Sequence, residues 1–171
     1  MNRSVIVCVM GTALALQGCI IVNDAGPRDE RPSGEARRVD DVLNDLHDAA
    51  ARAQEERYFN LFAPDGVFIG TAEEERWTVP VFRDYAHARF STGQGWTYTP
   101  SERHVFVSRD GETAWFDEML DNAKYGRCRG TGVLVRIDDD WKIAQYHLTV
   151  PIPNDLLPGF ADQIRAHHAG N

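Results

Sequence analysis

Cysteine is scarce in this 171-residue chain, and lysine is scarcer still. The three cysteines are Cys8, Cys19 and Cys128. Two fall within the first twenty residues and the third stands alone, so neither a disulfide framework nor a cysteine-based metal cluster can be assembled from them. Lys124 and Lys142 are the only lysines; arginine supplies the rest of the 18 basic residues, against 26 acidic ones and a net charge of −8. An acidic surface repels phosphate backbones, which argues against a general nucleic-acid binder. No glycine-rich phosphate loop, dinucleotide fingerprint or serine elbow is present. Glu73-Glu74-Glu75 lacks the alternating oxygens and the glycine of a calcium loop, and the His167-His168 pair could take up metal only adventitiously. No cofactor and no metal are therefore expected. What is present is a composition typical of a soluble globular domain, 43% apolar and 26% charged.

The first residues read as an address. Arg3 is followed by an apolar run from Val5 to Leu16, too short to span a membrane as a stable helix and built like a secretory signal. It ends in Leu16-Gln17-Gly18-Cys19, which resembles the lipobox of bacterial lipoproteins. That resemblance implies removal of residues 1–18 and lipidation of Cys19, whose acyl chains would anchor the protein in a membrane. Ile20 rather than aspartate after the cysteine implies the outer membrane, facing the periplasm. Residues 19–38 carry few apolar side chains after Val22 and cannot repay their ordering entropy, so they are expected to be a flexible tether.

From Val39 the pattern changes, and residues 39–171 are expected to form one domain. Val39, Val42, Leu43, Leu46, Ala49, Ala50, Ala53, Tyr58, Leu61 and Phe62 recur at helical spacing, with Pro64-Asp65-Gly66 as the stop. Val67 to Gly70 reads as a short strand and Glu73 to Arg76 as a polar connection. A second helix is expected from Thr78 to about Phe90, with Pro80 in its first turn. Then come four strand-like segments, Trp96–Val107, Thr113–Asn122, Gly126–Ile137 and Trp141–Val150. Turns at Arg109–Glu112 and Asp138–Asp140 join the pairs they separate, and a terminal helix spans Leu156 to His168. This order predicts an α+β fold in which a curled antiparallel sheet wraps a long N-terminal helix and leaves a conical hollow.

Three segments carry a resemblance. They are Tyr58-Phe59-Asn60-Leu61-Phe62-Ala63-Pro64-Asp65-Gly66-Val67-Phe68-Ile69-Gly70, then Gly130-Thr131-Gly132-Val133-Leu134-Val135-Arg136, and Trp141-Lys142-Ile143-Ala144-Gln145-Tyr146-His147-Leu148-Thr149. Together they resemble the nuclear transport factor 2-like (NTF2-like) superfamily, in particular its SnoaL-like and DUF4440-like groups, over about residues 38–155. The resemblance implies a cone-shaped fold that hosts isomerases, dehydratases, cyclases and hydrolases as well as binding and assembly modules.

Strand alternation groups the candidate site residues. Trp141, Ile143, Gln145, His147 and Thr149 share one face of the last strand, and Tyr146 lies on the other. His147 could move a proton if a carboxylate such as Glu118 orients its ring; otherwise it is a structural histidine. Glu118 and Asp121, three apart on a strand, face opposite ways, and Glu118 is expected inside. Arg127 and Arg129 flank Cys128; they either bind an anion or pair with neighbouring acids. Cys128 is expected to pack as a small apolar residue. Trp77, Trp115, Phe116 and Tyr146, with Arg129, are the expected ligand contacts. The function expected is binding of a small, partly apolar organic molecule. The alternatives are a cofactor-free isomerase, dehydratase or cyclase using His147 with Glu118, and an assembly module that forms a homodimer through the exposed sheet face.

Overall fold

The computed structural model describes residues 34–170. The leader, Cys19 and most of the expected tether lie outside them. Helix α1 (Gly34–Ala51) buries Ala36, Val39, Leu43, Leu46 and Ala50, a three-four spacing that draws one apolar stripe along the helix. Residues 34–38, expected in the tether, form its first turn. Glu35 there accepts a 2.9 Å hydrogen bond from the Trp141 indole, which fastens this turn to the sheet.

The long helical run expected through Phe62 is cut in two. Ala53 takes a left-handed conformation (φ 53°). The Gln54 N–H bonds back to the Ala49 carbonyl (2.9 Å) and the Ala53 N–H to that of Ala50 (3.2 Å), which closes the helix as glycine usually does. A single turn and a half follows as α2 (Glu55–Phe59), clasped to α1 by Arg57, which bridges Asp45 and Asp48.

Strand β1 (Phe62–Ile69) contains the Pro64-Asp65-Gly66 segment expected to end the helix. The segment is instead a bulge, across which the pairing with the last strand jumps from Phe62 to Val67. Gly66 is required there: a Cβ would sit 2.8 Å from the Ile143 carbonyl oxygen. The polar connection ends in a three-residue strand, β2 (Arg76–Thr78), and α3 (Val79–Phe90) turns Phe82, Ala86 and Phe90 inward. The remaining strands are β3 (Thr99–Val107), β4 (Thr113–Asn122), β5 (Gly126–Ile137) and β6 (Asp140–Thr149), followed by α4 (Leu157–Ala169), which buries none of its residues. The β5–β6 turn places Asp138 and Asp139 at φ 50° and 68°, the primed geometry that suits a tight hairpin.

The six strands form one curled sheet in the order β2-β1-β6-β5-β4-β3. It is mixed rather than wholly antiparallel, because β1 runs parallel to β6. Its inner face carries Ala114, Phe116, Glu118 and Leu120 of β4, Cys128 and Leu134 of β5, and Trp141, Ile143, Tyr146 and Leu148 of β6. Those β6 residues do not share one simple alternation. Val133 pairs with Gln145 but Leu134 with Ile143, so Ala144 is an extra residue. That bulge swaps the faces for the rest of β6: Tyr146 and Leu148 turn in, and His147 turns out.

Candidate functional site

Between α1, α3 and the inner face of the sheet lies a cavity of about 1300 Å³ that opens to solvent. This is larger than many small-molecule pockets, which run from about 300 to 1,000 Å³. Its aromatic wall is a run of nearly parallel rings. Trp77 and Phe82 are inclined by 3°, Phe82 and Phe68 by 17°, and Phe68 and Tyr146 by 5°. The exposed Tyr85 extends the stack at 4.8 Å from Trp77. Charged side chains, among them Arg89, Lys124, Arg127 and Glu75, line the exposed mouth.

The deep end is polar and rests on one carboxylate. Glu118 is wholly buried. Its Oε1 lies 2.8 Å from His47 Nε2 and accepts the Tyr146 hydroxyl at 2.9 Å; its Oε2 accepts Arg103 Nε–H at 2.7 Å. His47 and Tyr146 line the cavity, and Glu118 and Arg103 stand behind them. Arg103 in turn donates from Nη1 to Asp40 Oδ1 (2.6 Å) and Asn44 Oδ1 (2.8 Å), so α1 is tied to the sheet through this network. Burial by itself would raise the Glu118 pKa. The His47 hydrogen bond and the Arg103 guanidinium outweigh it and hold the carboxyl below its ordinary value. Burial, reinforced by Glu118, pushes the Tyr146 hydroxyl well above the usual phenol range. Burial opposes the charge on Arg103, but Glu118 and Asp40 more than restore it.

Glycine makes room for this arrangement. At Gly130, beside Glu118 in the register, a Cβ would stand 2.4 Å from the Tyr146 hydroxyl oxygen and 2.9 Å from Glu118 Oε1.

Of the residues expected from the sequence, Glu118, Tyr146, Phe116 and Trp77 are on the inner side. Phe116 is buried against Tyr146, with ring centroids 5.7 Å apart. His147 is not brought to Glu118. The β6 bulge places it on the outer face, beside Thr131 and Ile69. Trp115 is also on the outer face, 46% exposed and stacked on Phe106, and Arg129 is exposed there as well. Strand alternation puts both opposite the inward set of Phe116, Glu118, Cys128 and Gly130. Asp121 is exposed at the cavity mouth. Cys128 is fully buried among apolar residues, and burial, with Asp121 adding to it, raises its thiol pKa, which disfavours the thiolate. His47 and Arg103 were not foreseen. His47 had a visible signal: it is a polar residue on the apolar stripe of α1, four after Leu43 and three before Ala50. Arg103 is set opposite Glu118 only by the β3–β4 register, which a bulge after Ser101 shifts.

Among the described residues no group of three or more His, Cys, Asp and Glu could hold a metal ion. No helix among them is long and apolar enough to cross a membrane.

A long helix held in a curled sheet, with a hollow closed at one end by buried polar groups, defines an NTF2-like domain. The model of the SnoaL-like domain matches residues 39–153, and the chain belongs to that family. Solved structures agree on the fold. A presumed dehydratase of the NTF2-like family from Streptomyces avermitilis superposes with a TM-score of 0.61 at 14% identity, over 72% of this chain and 100% of that one. An NTF2-like protein of unknown function from Pseudomonas putida gives 0.59 at 10% identity, over 70% and 88%. A presumed calcium/calmodulin-dependent protein kinase II association domain from Xanthomonas campestris gives 0.54 at 23% identity, over 71% and 91%. No curated protein matches the sequence.

Proposed function

We propose that this domain binds a small, partly apolar organic molecule in the cavity, with its flat part along the Trp77–Phe82–Phe68 ring stack and a polar group at His47 and Tyr146. The observation that carries this reading is a cavity of about 1300 Å³ with aromatic walls and a hydrogen-bonding deep end. Apolar walls give affinity, and a few convergent polar groups fix orientation. The test is native mass spectrometry of the protein purified from its own cells, followed by a thermal-shift screen of aromatic and terpenoid compounds. A co-purifying organic mass, or stabilisation by compounds of this class, is expected. A protein that carries nothing and responds to none of them would refute the reading.

The His47–Glu118 contact of 2.8 Å favours a second reading, a cofactor-free isomerase or dehydratase. Glu118 would hold the imbalance of charge as the ring gains a proton, and His47 would take the place first given to His147. A structural relative is presumed to be a dehydratase. In that case His47→Ala abolishes turnover, a loss far beyond its roughly tenfold effect on ligand binding.

The protein is further proposed to sit in the bacterial envelope, lipid-anchored through Cys19 to the outer membrane and facing the periplasm. Labelling with a tagged fatty acid, lost in Cys19→Ser, tests this. The stacked and exposed Phe106–Trp115 pair on the outer face supports a homodimer; sedimentation of the wild type against Trp115→Arg tests it.

A further inference from the structure

At His47 and Tyr146, the two groups that line the deep end of the cavity beside Glu118, the protons are spent in one direction. We infer that the guest must itself bring a hydrogen-bond donor: the preferred ligand is an apolar molecule with a hydroxyl or amine N–H, and not one whose polar group is a carbonyl or ether. This deepens the binding reading above and rests on it.

Glu118 is buried against the Arg103 guanidinium, with Nε 2.7 Å from Oε2. A carboxylate so paired is ionised and has no proton to give, so every group within hydrogen-bond distance of it must be the donor. Tyr146 has a single hydroxyl proton, and that proton lies on Glu118 Oε1. The high pKa of this hydroxyl keeps the proton in place. His47 must likewise present Nε2–H to the same oxygen, and this fixes the tautomer of the neutral ring. What each side chain has left is a lone pair: the Tyr146 oxygen and Nδ1 of neutral His47. Both are acceptors. A hydroxyl or amine placed there completes a hydrogen bond, whereas a carbonyl sets acceptor against acceptor and loses its water without replacement. Other donors line the cavity, with Tyr58, Trp77 and Trp96 along the aromatic wall and Lys124 and Arg127 at the exposed mouth, but none of them bonds to Glu118. A bifunctional guest is therefore oriented, donor end inward and acceptor end outward.

A pair of probes of equal size tests this on the wild-type protein: 2-naphthalenemethanol, which donates, and 2-naphthaldehyde, which only accepts. Binding is measured by calorimetry in mildly alkaline buffer, with the neutral ring of His47 verified by nitrogen-15 spectroscopy. The alcohol is expected to bind about tenfold more tightly than the aldehyde, the effect of one hydrogen bond gained against one acceptor stranded. Equal affinities, or a preference for the aldehyde, would overturn the inference while leaving the pocket reading intact. Failure of both probes to bind would remove the pocket reading, and the inference with it. Nitrogen-15 spectroscopy of the histidine rings provides an independent check that needs no variant. His47 should carry its proton on Nε2, and a proton found on Nδ1 would overturn the assignment. In Tyr146→Phe the preference for the alcohol should fall at least about threefold. Were it to survive undiminished both there and in His47→Ala, its origin would lie elsewhere and the inference would fail.

Discussion

Replacing Glu118 by alanine should be among the most costly single changes in the domain. The carboxylate is wholly buried, and Arg103, its ionic partner, is only 8% exposed. Removing one member of a buried pair strands the other charge and typically costs about 3–5 kcal/mol. Arg103 keeps Asp40 at 2.6 Å, and Asp40 is 46% exposed, so this part belongs near the lower limit, about 3 kcal/mol. The Tyr146 hydroxyl and His47 Nε2–H also lose their acceptor. Each stranded donor adds roughly 1 kcal/mol, partly relieved by water entering from the cavity. The sum is about 3–5 kcal/mol, a large part of the roughly 5–15 kcal/mol that holds a domain folded. Glu118→Gln keeps the shape and an acceptor for Arg103, and should cost about 1.5–3 kcal/mol. Urea unfolding at neutral pH measures both. The acid range adds a second signature. The folded-state pKa of Glu118 lies below its ordinary value of 4.5, so its stabilisation is fully present above about pH 4.5 and is lost as the pH falls through the depressed folded value. The gap between wild type and Glu118→Gln should therefore be constant at neutral pH and close in acid. A cost below about 1 kcal/mol for the alanine variant would refute this account of the network, as would a gap that does not change with pH.

Three further outcomes follow from the same geometry. Gly130→Ala drives a methyl group to within 2.4 Å of the Tyr146 hydroxyl oxygen, so it should lower stability by about 1–3 kcal/mol in urea unfolding and weaken ligand binding. His147→Ala, on the outer face, should change stability by less than about 1 kcal/mol and leave binding untouched; His47→Ala should weaken binding about tenfold in the same calorimetric assay. Tryptophan fluorescence should divide likewise: a bound aromatic guest quenches Trp77 and Trp96, which both line the cavity, so Trp77→Phe reduces the response and Trp115→Phe leaves it unchanged.

The sheet was largely readable because β3 to β6 are long, rich in β-branched and aromatic residues, and separated by turn residues with definite geometry. Two of their boundaries, Thr113–Asn122 and Gly126–Ile137, coincide with the expected segments. β2 was not readable, since three residues carry no period. The parallel pairing of β1 with β6 joins segments some eighty residues apart, and no local signal announces it. The glutamate was placed inside correctly because β4 pairs without interruption and its alternation runs true. The face of His147 was not readable, because alternation along β6 is broken by Ala144, and a bulge of one residue exchanges the faces of everything after it. The residue that fills the histidine's place comes from α1, where a helical stripe containing one polar member is as common in a plain core as in a site.

The central claim is that an organic guest enters between the helices and the sheet and meets His47 and Tyr146 at the end. Mapping chemical-shift changes while the protein is titrated with 2-naphthalenemethanol tests it most directly. The His47, Tyr146 and Trp77 side-chain resonances should move together and saturate at one concentration, while those of His147 and Trp115 stay still. Movement confined to His147 and Trp115, or no saturable movement at all, would contradict the account.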